Sequence, residues 1–286
     1  MAYTAAELLV MSNDIYMGAT EESKLPFLAN TRWSREATDA TEVNILSVGD
    51  VTFAPYSEGT AITPQAPAAG SAKLKMDQKQ AVAISNWDTQ KLVPGYVSAV
   101  GQKAAKIAAV LPDNYIINTL FTKALFPTGW YAGVSDAAID IKASTALAIL
   151  GDLAENMDDQ NVSVDGRIFI APPSVVTKIR SGMRAAGLVS EAITDVLLNR
   201  PGSFKVQGFV VMSSNQFTAV GGSGNDYNCF YGTSEAIACG YNPLSLESQR
   251  MTLEPGDNIF GVLRYGAKVV DEKQGGVAYL NVVADT

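Results

Sequence analysis

The chain contains no histidine. That single absence removes Ser-His-Asp and Cys-His nucleophiles, the HExxH zinc site and imidazole proton transfer together. Cysteine is nearly absent too. Cys229 and Cys239 fit none of the common zinc spacings, and sequence alone cannot decide whether they pair, so two buried, reduced thiols are expected. No apolar run approaches the roughly 18 residues of a membrane-crossing helix, and the opening MAYTAAELLV lacks the basic start and small-residue cleavage site of a secretory signal. A soluble protein made in a cytoplasm is expected. Basic residues are outnumbered, 21 Lys and Arg against 29 Asp and Glu for a net charge of −8, and they are scattered. Nothing resembles the footprint of a protein that grips nucleic acid. Carboxylate, lysine or tyrosine chemistry stays open, but no localised cluster asks for it.

What is present is ample apolar material: 47% of 286 residues are hydrophobic, enough for the core of one large domain or two. The longest helical pattern lies between Trp87 and Phe126. Apolar residues at Val93, Val97, Val100, Ala104, Ile107 and Leu111 fall in steps of three and four, laying one stripe along a helix, while Ser98, Gln102, Lys103 and Lys106 fall opposite. Pro94 suits a first helical turn, and Pro112-Asp113 predicts a break followed by a second start. At 1.5 Å per residue, 94–111 spans about 27 Å, and a continuation to Leu125 approaches about 48 Å.

Residues 1–45 begin with a short amphipathic piece, Ala5 to Met11, and then lose periodicity. Phe27, Leu28 and Trp33 stand out there as large apolar residues that need a surface, either on their own domain or on a neighbouring subunit. Val43 to Ala54 alternates like a strand, with a turn at Gly49-Asp50, and a second strand-like run covers Lys73 to Trp87. Between them, SEGTAITPQAPAAGS carries Gly59, Pro64, Pro67 and Gly70 with small side chains and no core-forming pattern. This predicts an exposed, extended loop tip, too long to pack on itself within a compact domain.

GDVTFAPYSEGTAI, the Pro- and Ala-rich tip, the return strand KLKMDQKQAVAI and the long helix together resemble major capsid proteins of tailed bacteriophages, of the Hong Kong 97 type. In that family the hairpin is the extended loop and the helix is the spine of the peripheral domain. The likeness continues downstream. Lys142 to Met157 is a second amphipathic helix, with Leu147, Leu150, Leu153 or Ala154 and Met157 on one face. The acidic pair Asp158 and Asp159 at its end reads as a solvated helix terminus rather than half of a cation site. A turn at Asp165-Gly166, a buried strand through Ile168 to Ile170 and a helix entered by Pro172-Pro173 follow the order of the family's axial domain. Arg167, at the strand start, reads as a structural ion pair rather than an anion ligand.

FKVQGFVVMSSNQ is a strand in which Gly208 marks a bulge or close approach. Gly221 to Asp226, GGSGND, is glycine-rich but lacks the Lys-Ser/Thr pair and the strand-to-helix setting of a phosphate loop, so it reads as a turn. CFYGTSEAIACG resembles the strand and small helix that close the axial domain. From Leu244 onward, three strands separated by turns at Pro255-Gly256 and Gly275-Gly276 carry RYGAKVV, which is similar to the peripheral-domain sheet of the family.

The resemblance covers most of the chain after about residue 45 and implies an α+β fold. Its parts are an N-terminal arm over 1–45, an extended hairpin loop over 46–90, a peripheral domain with spine helix over 91–130 and 241–286, and an axial domain over 131–240. It implies a structural subunit rather than an enzyme: one that assembles with itself as hexamers and pentamers of an icosahedral phage head, around double-stranded DNA held only non-specifically. The virion would be its location and the host bacterial cytoplasm its place of assembly. No charged helical scaffolding segment precedes the arm, which implies a separate scaffolding protein, besides a portal and possibly a decoration protein. Some relatives join the hairpin to a neighbour through a Lys-Asn isopeptide bond. Lys73, Lys75 and Lys79 are available, but no pattern fixes a partner. No catalytic, cofactor-binding or metal-ligating residue set is expected. The alternatives are the shell of an encapsulin-like nanocompartment and, in another class, a histidine-free cytoplasmic α/β enzyme, which would need a deep pocket with converging titratable groups.

Overall fold

A computed structural model describes residues 23–34, 42–48, 69–86, 96–187, 203–220, 224–250 and 257–285. The central helix, α2, runs Tyr96–Tyr115 and continues without interruption into a π-helical turn, Ile116–Leu120. The break expected at Pro112 therefore does not occur. Proline removes one ladder hydrogen bond, but Pro112 is itself buried. The turn beyond it is pinned by Ile116, Ile117 and Leu120, all in the core, so packing outweighs the local cost. The buried line on α2 passes through Ala108, with half-buried Ala104, Leu111 and Tyr115 beside it. Ile107 was expected on that stripe but is 47% exposed. Gln102, Lys103 and Lys106 face solvent as the pattern predicts. Val93 and the side chains of Val97 and Val100 lie outside the described residues.

The helix packs on a three-stranded antiparallel sheet of β3 (Gln78–Asn86), β10 (Ile237–Arg250) and β11 (Asp257–Val269), with β11 in the centre. Along β11 the side chains alternate. Leu263 and Tyr265 are buried against Ala108, Leu111 and Tyr115, and the Tyr115 and Tyr265 rings meet edge to face at 5.8 Å.

The expected hairpin is present as β1 (Glu42–Val48) and β2 (Ala69–Lys75), in register from Glu42 opposite Lys75 to Val48 opposite Ala69. The single return strand predicted over 73–87 is in fact two. The chain leaves β2 at Lys75, passes Met76 and Asp77, and enters β3 in a different sheet. Val43, Ile45, Leu74 and Met76 seat the hairpin base on Ala238, with Trp33 and Val270 alongside. The Gly49-Asp50 turn, the Pro- and Ala-rich tip and Trp87 lie outside the described residues.

A larger mixed sheet follows the order β4 (Trp130–Tyr131), β12 (Gly275–Val282), β9 (Asp226–Gly232), β6 (Ile168–Ala171), β8 (Phe209–Ser213), β7 (Phe204–Val206), with β5 (Ile139–Ile141) also on β12. Helices α3 (Ala146–Asp159) and α4 (Pro173–Ala185) cover one face through Ile149, Leu150, Leu153, Met157, Val175, Val176 and Ile179. The other face meets the end of the spine, where Phe121 stacks on Phe230 at 5.0 Å. Strand β12 thus pairs with β9 and not with β10 and β11, although the three follow one another in sequence.

Two glycine positions differ from expectation. Gln207 and Gly208 both have positive φ, 47° and 82°, and form a two-residue hairpin turn between β7 and β8 rather than a bulge. Gly275 and Gly276 begin β12 rather than forming a turn. A Cβ at Gly276 would lie 2.4 Å from the Gly129 carbonyl oxygen and 2.3 Å from the Tyr231 ring, so bare backbone is needed for strand packing there. The turn itself falls on Val270 to Gln274, where the Asp271 carboxylate accepts the Lys273 N–H at 3.0 Å. Within GGSGND, residues 221–223 lie outside the described residues. Gly224 has φ +73°, and Asp226 starts a strand, not a helix.

Residues 23–34 pack against the rest of the chain. A single helical turn, α1 (Leu25–Leu28), buries Leu25 and Leu28 against the Ile116, Leu120 and Ile237 cluster. Asn30 then bridges to β10, its N–H donating to the Ile237 carbonyl at 2.8 Å and its carbonyl accepting from the Cys239 N–H at 3.0 Å. Within this chain Phe27 and Leu28 pack at the end of the spine and Trp33 beside the hairpin base.

Candidate assembly surfaces

The hairpin carries its charge on one face. Lys73 and Lys75, two residues apart on β2, both lean toward Glu42 on β1, at 3.6 and 3.7 Å. All three side chains are well exposed, so the pairs are solvated and weak. Lys79 stands apart on β3, opposite Arg264. Beside β2, an open cleft of about 530 Å³ is lined by Lys73, Lys75, Asp77, Tyr115, Ala267 and Lys268. Burial first, then the nearby Asp77 charge, raises the Tyr115 phenol above its ordinary value, so it stays a neutral hydroxyl. The cleft holds no carboxylate pair and no activated nucleophile.

On the sheet face turned away from the spine helix, several described side chains are exposed. Phe260 is 39% exposed and Val262 47%, with Arg264 and Ala81 also exposed on neighbouring positions. Along β11 this face mixes Phe260 and Val262 with Arg264 and Lys268, so the alternation gave no sign of it. A chain that keeps large apolar side chains on a flat strand face has something left to bury.

The buried polar groups are structural. Arg167 is 2% exposed, and its guanidinium donates to the Asp158 carboxylate at 2.6 Å, to the carbonyls of Ser163 and Ala154 at 3.0 and 3.4 Å, and to the Val162 carbonyl. The ion pair expected of Arg167 is therefore present. Asp158 is more than a solvated helix end: its carboxylate pairs with the Arg167 guanidinium, beside the carbonyls that also accept from it. Asp159 lies exposed beside it. Asp113, 1% exposed, accepts the Lys24 N–H at 2.5 Å and the Ser23 hydroxyl at 3.2 Å, capping α1 from the spine helix. Its place after a proline in a helical run gave the only signal for it.

Cys229 and Cys239 are both buried and unbridged, as expected. Burial raises both thiols, Cys239 to about 12, so neither forms a reactive thiolate near neutrality. Burial and the bond to Asp152 raise the Tyr131 phenol, and burial raises Tyr231, whose hydroxyl donates to the Gly129 carbonyl at 2.8 Å. Asp136 is held below the carboxylate range by hydrogen bonds from Lys123 and, more weakly, Trp130. Among the described residues no three His, Cys, Asp or Glu side chains converge, and no helix is long and apolar enough to cross a membrane.

No family model and no curated protein matches the chain. Solved structures do. A chain from Mycobacterium phage Che8 superposes with a TM-score of 0.68 at 18% identity, over 94% of this chain and 95% of that one. The capsid asymmetric unit of cyanophage Pam1 gives 0.69 at 13% identity over 96% of each. The capsid of Ralstonia phage GP4 gives 0.67 at 13% identity, over 96% and 95%. Coverage is nearly end to end in both directions, so spine, hairpin and both sheets are matched together rather than one motif. The chain has the Hong Kong 97 type fold of tailed-phage capsid subunits.

Proposed function

We propose that this protein is the shell subunit of a tailed-bacteriophage head, assembling with itself as hexamers and pentamers around double-stranded DNA. The observation that carries the reading is the combination of a near-complete match to capsid chains with a hairpin and an open apolar strand face that a lone chain leaves uncovered. Each contact between copies would be modest, and closure would sum many of them. A net charge of −8 suits a container that tolerates packed DNA without gripping it. The same reading gives residues 1–45 as an arm, 46–90 as the extended hairpin, 91–130 with 241–286 as the peripheral domain and 131–240 as the axial domain. Strand β12 pairs with β9, so this reading has the two domains share a strand. A separate scaffolding protein, a portal and a decoration protein are the partners this role calls for, with assembly in the host cytoplasm.

The test is to replace residues 58–68 by a tight turn. This segment, between β1 and β2 in sequence, has Gly59, Pro64, Pro67 and small side chains but no apolar stripe. The expected result is a cooperative melt like that of the parent with shell formation lost or the shells fragile. Unfolding, or shells as robust as the parent's, would contradict the role given to the hairpin.

A further inference from the structure

The hairpin and the three-stranded sheet come into backbone-to-backbone contact at Gly266. Gly266 lies within β11, in the RYGAKVV run, and faces Gly240 across the β10 ladder. A Cβ built on Gly266 would stand 1.8 Å from the Lys75 carbonyl oxygen, 2.8 Å from the Lys75 carbonyl carbon and 3.2 Å from the Met76 Cα. All three atoms are backbone, so no rotamer change can make room. By the strand's alternation, the missing side chain is on the same face as Phe260, Val262 and Arg264. The hairpin therefore crosses the end of the open face at the distance only glycine allows.

This contact sits where the chain changes sheets. Lys75 ends β2, Gln78 starts β3 and pairs with Tyr265, and Met76 between them is buried in the hairpin-base cluster with Leu74, Val43 and Ile45. The angle between hairpin and body is thus set by two elements: the apolar seat on Ala238 and Val270, and the stop provided by bare backbone at 266. A larger residue at 266 would leave the seat in place but push β2 off the sheet, rotating the hairpin about its base.

We propose that Gly266 is a positioning residue: its bare backbone fixes the angle at which the β1–β2 hairpin leaves the sheet and, through it, the curvature of the assembled shell. The second half rests on the shell-subunit reading above; the first does not. Two measurements separate them. On the isolated chain, spin labels on cysteines introduced at Asn44 and Val164, both exposed, report the hairpin-to-body distance by pulsed electron resonance, and the two native thiols are buried from the label. Gly266→Ala is expected to displace or broaden that distance distribution while the cooperative melt is kept. In assembly reactions it is expected to give particles of altered or mixed diameter. Should Gly266→Ala fail to fold, insertion of one glycine between Met76 and Asp77 uncouples hairpin from sheet without the clash, and is expected to broaden the same distribution. An unchanged distribution in whichever variant folds overturns the proposal for Gly266. A displaced distribution with particles of parental diameter overturns its link to curvature. A parent chain that forms no particles bears on the shell reading alone and leaves the distance measurement decisive.

Discussion

At the scale of single residues, the fold's polar core turns on Arg167. Four acceptors converge on one guanidinium that is almost wholly removed from water, and three of them are backbone carbonyls around the end of α3. Replacing the arginine by alanine leaves those carbonyls unpaired and opens a void, for which a loss of about 3–5 kcal/mol is expected. Asp158→Ala should cost much less, about 1 kcal/mol, because its carboxylate is 62% exposed and the guanidinium keeps its carbonyl partners. Denaturant melts of the two variants check the asymmetry. Equal losses would mean that the charge pair, and not the carbonyl cage, holds α3 to β6. The sequence pointed to Arg167 as an ion pair but hid its partner, since nothing in linear spacing says that a helix end nine residues upstream folds back on it.

Among the elements, those whose pattern has a period were the legible ones. Helix α3, the Pro-entered α4 and strand β6 are where alternation and prolines put them, because each buries one face of a regular element. The misread points share a cause: tertiary contacts override local signals. Pro112 stays helical because the turn after it is buried. Gly275 and Gly276 are strand residues because Tyr231 and Gly129 crowd them. The split of the return strand was invisible because the break between β2 and β3 is only Met76 and Asp77, with no glycine or proline to mark it. The N-terminal segment belongs with this scale too. With Leu28 fully buried among Ile116, Leu120 and Ile237, and α1 capped by Asp113, the segment acts as a strap across the spine. Leu28→Ala should lower stability by about 2–5 kcal/mol by the cavity it leaves. A melt within about 0.5 kcal/mol of the parent would show that the strap is not part of the cooperative unit.

For the whole molecule, the account rests on what the chain cannot satisfy alone. Its hairpin base is closed by its own side chains, yet Phe260 and Val262 are exposed on the sheet face, and Ile107 on the spine helix. The absence of histidine was the most informative feature of the composition, and order along the chain, more than any motif, suggested the architecture that the solved capsid chains share. The most direct measurement is electron microscopy of negatively stained material from cells expressing the protein together with the scaffolding protein proposed for it. Closed, thin-walled particles of uniform icosahedral outline are predicted. A chain that remains a monomer or small dimer under every assembly condition would contradict the account.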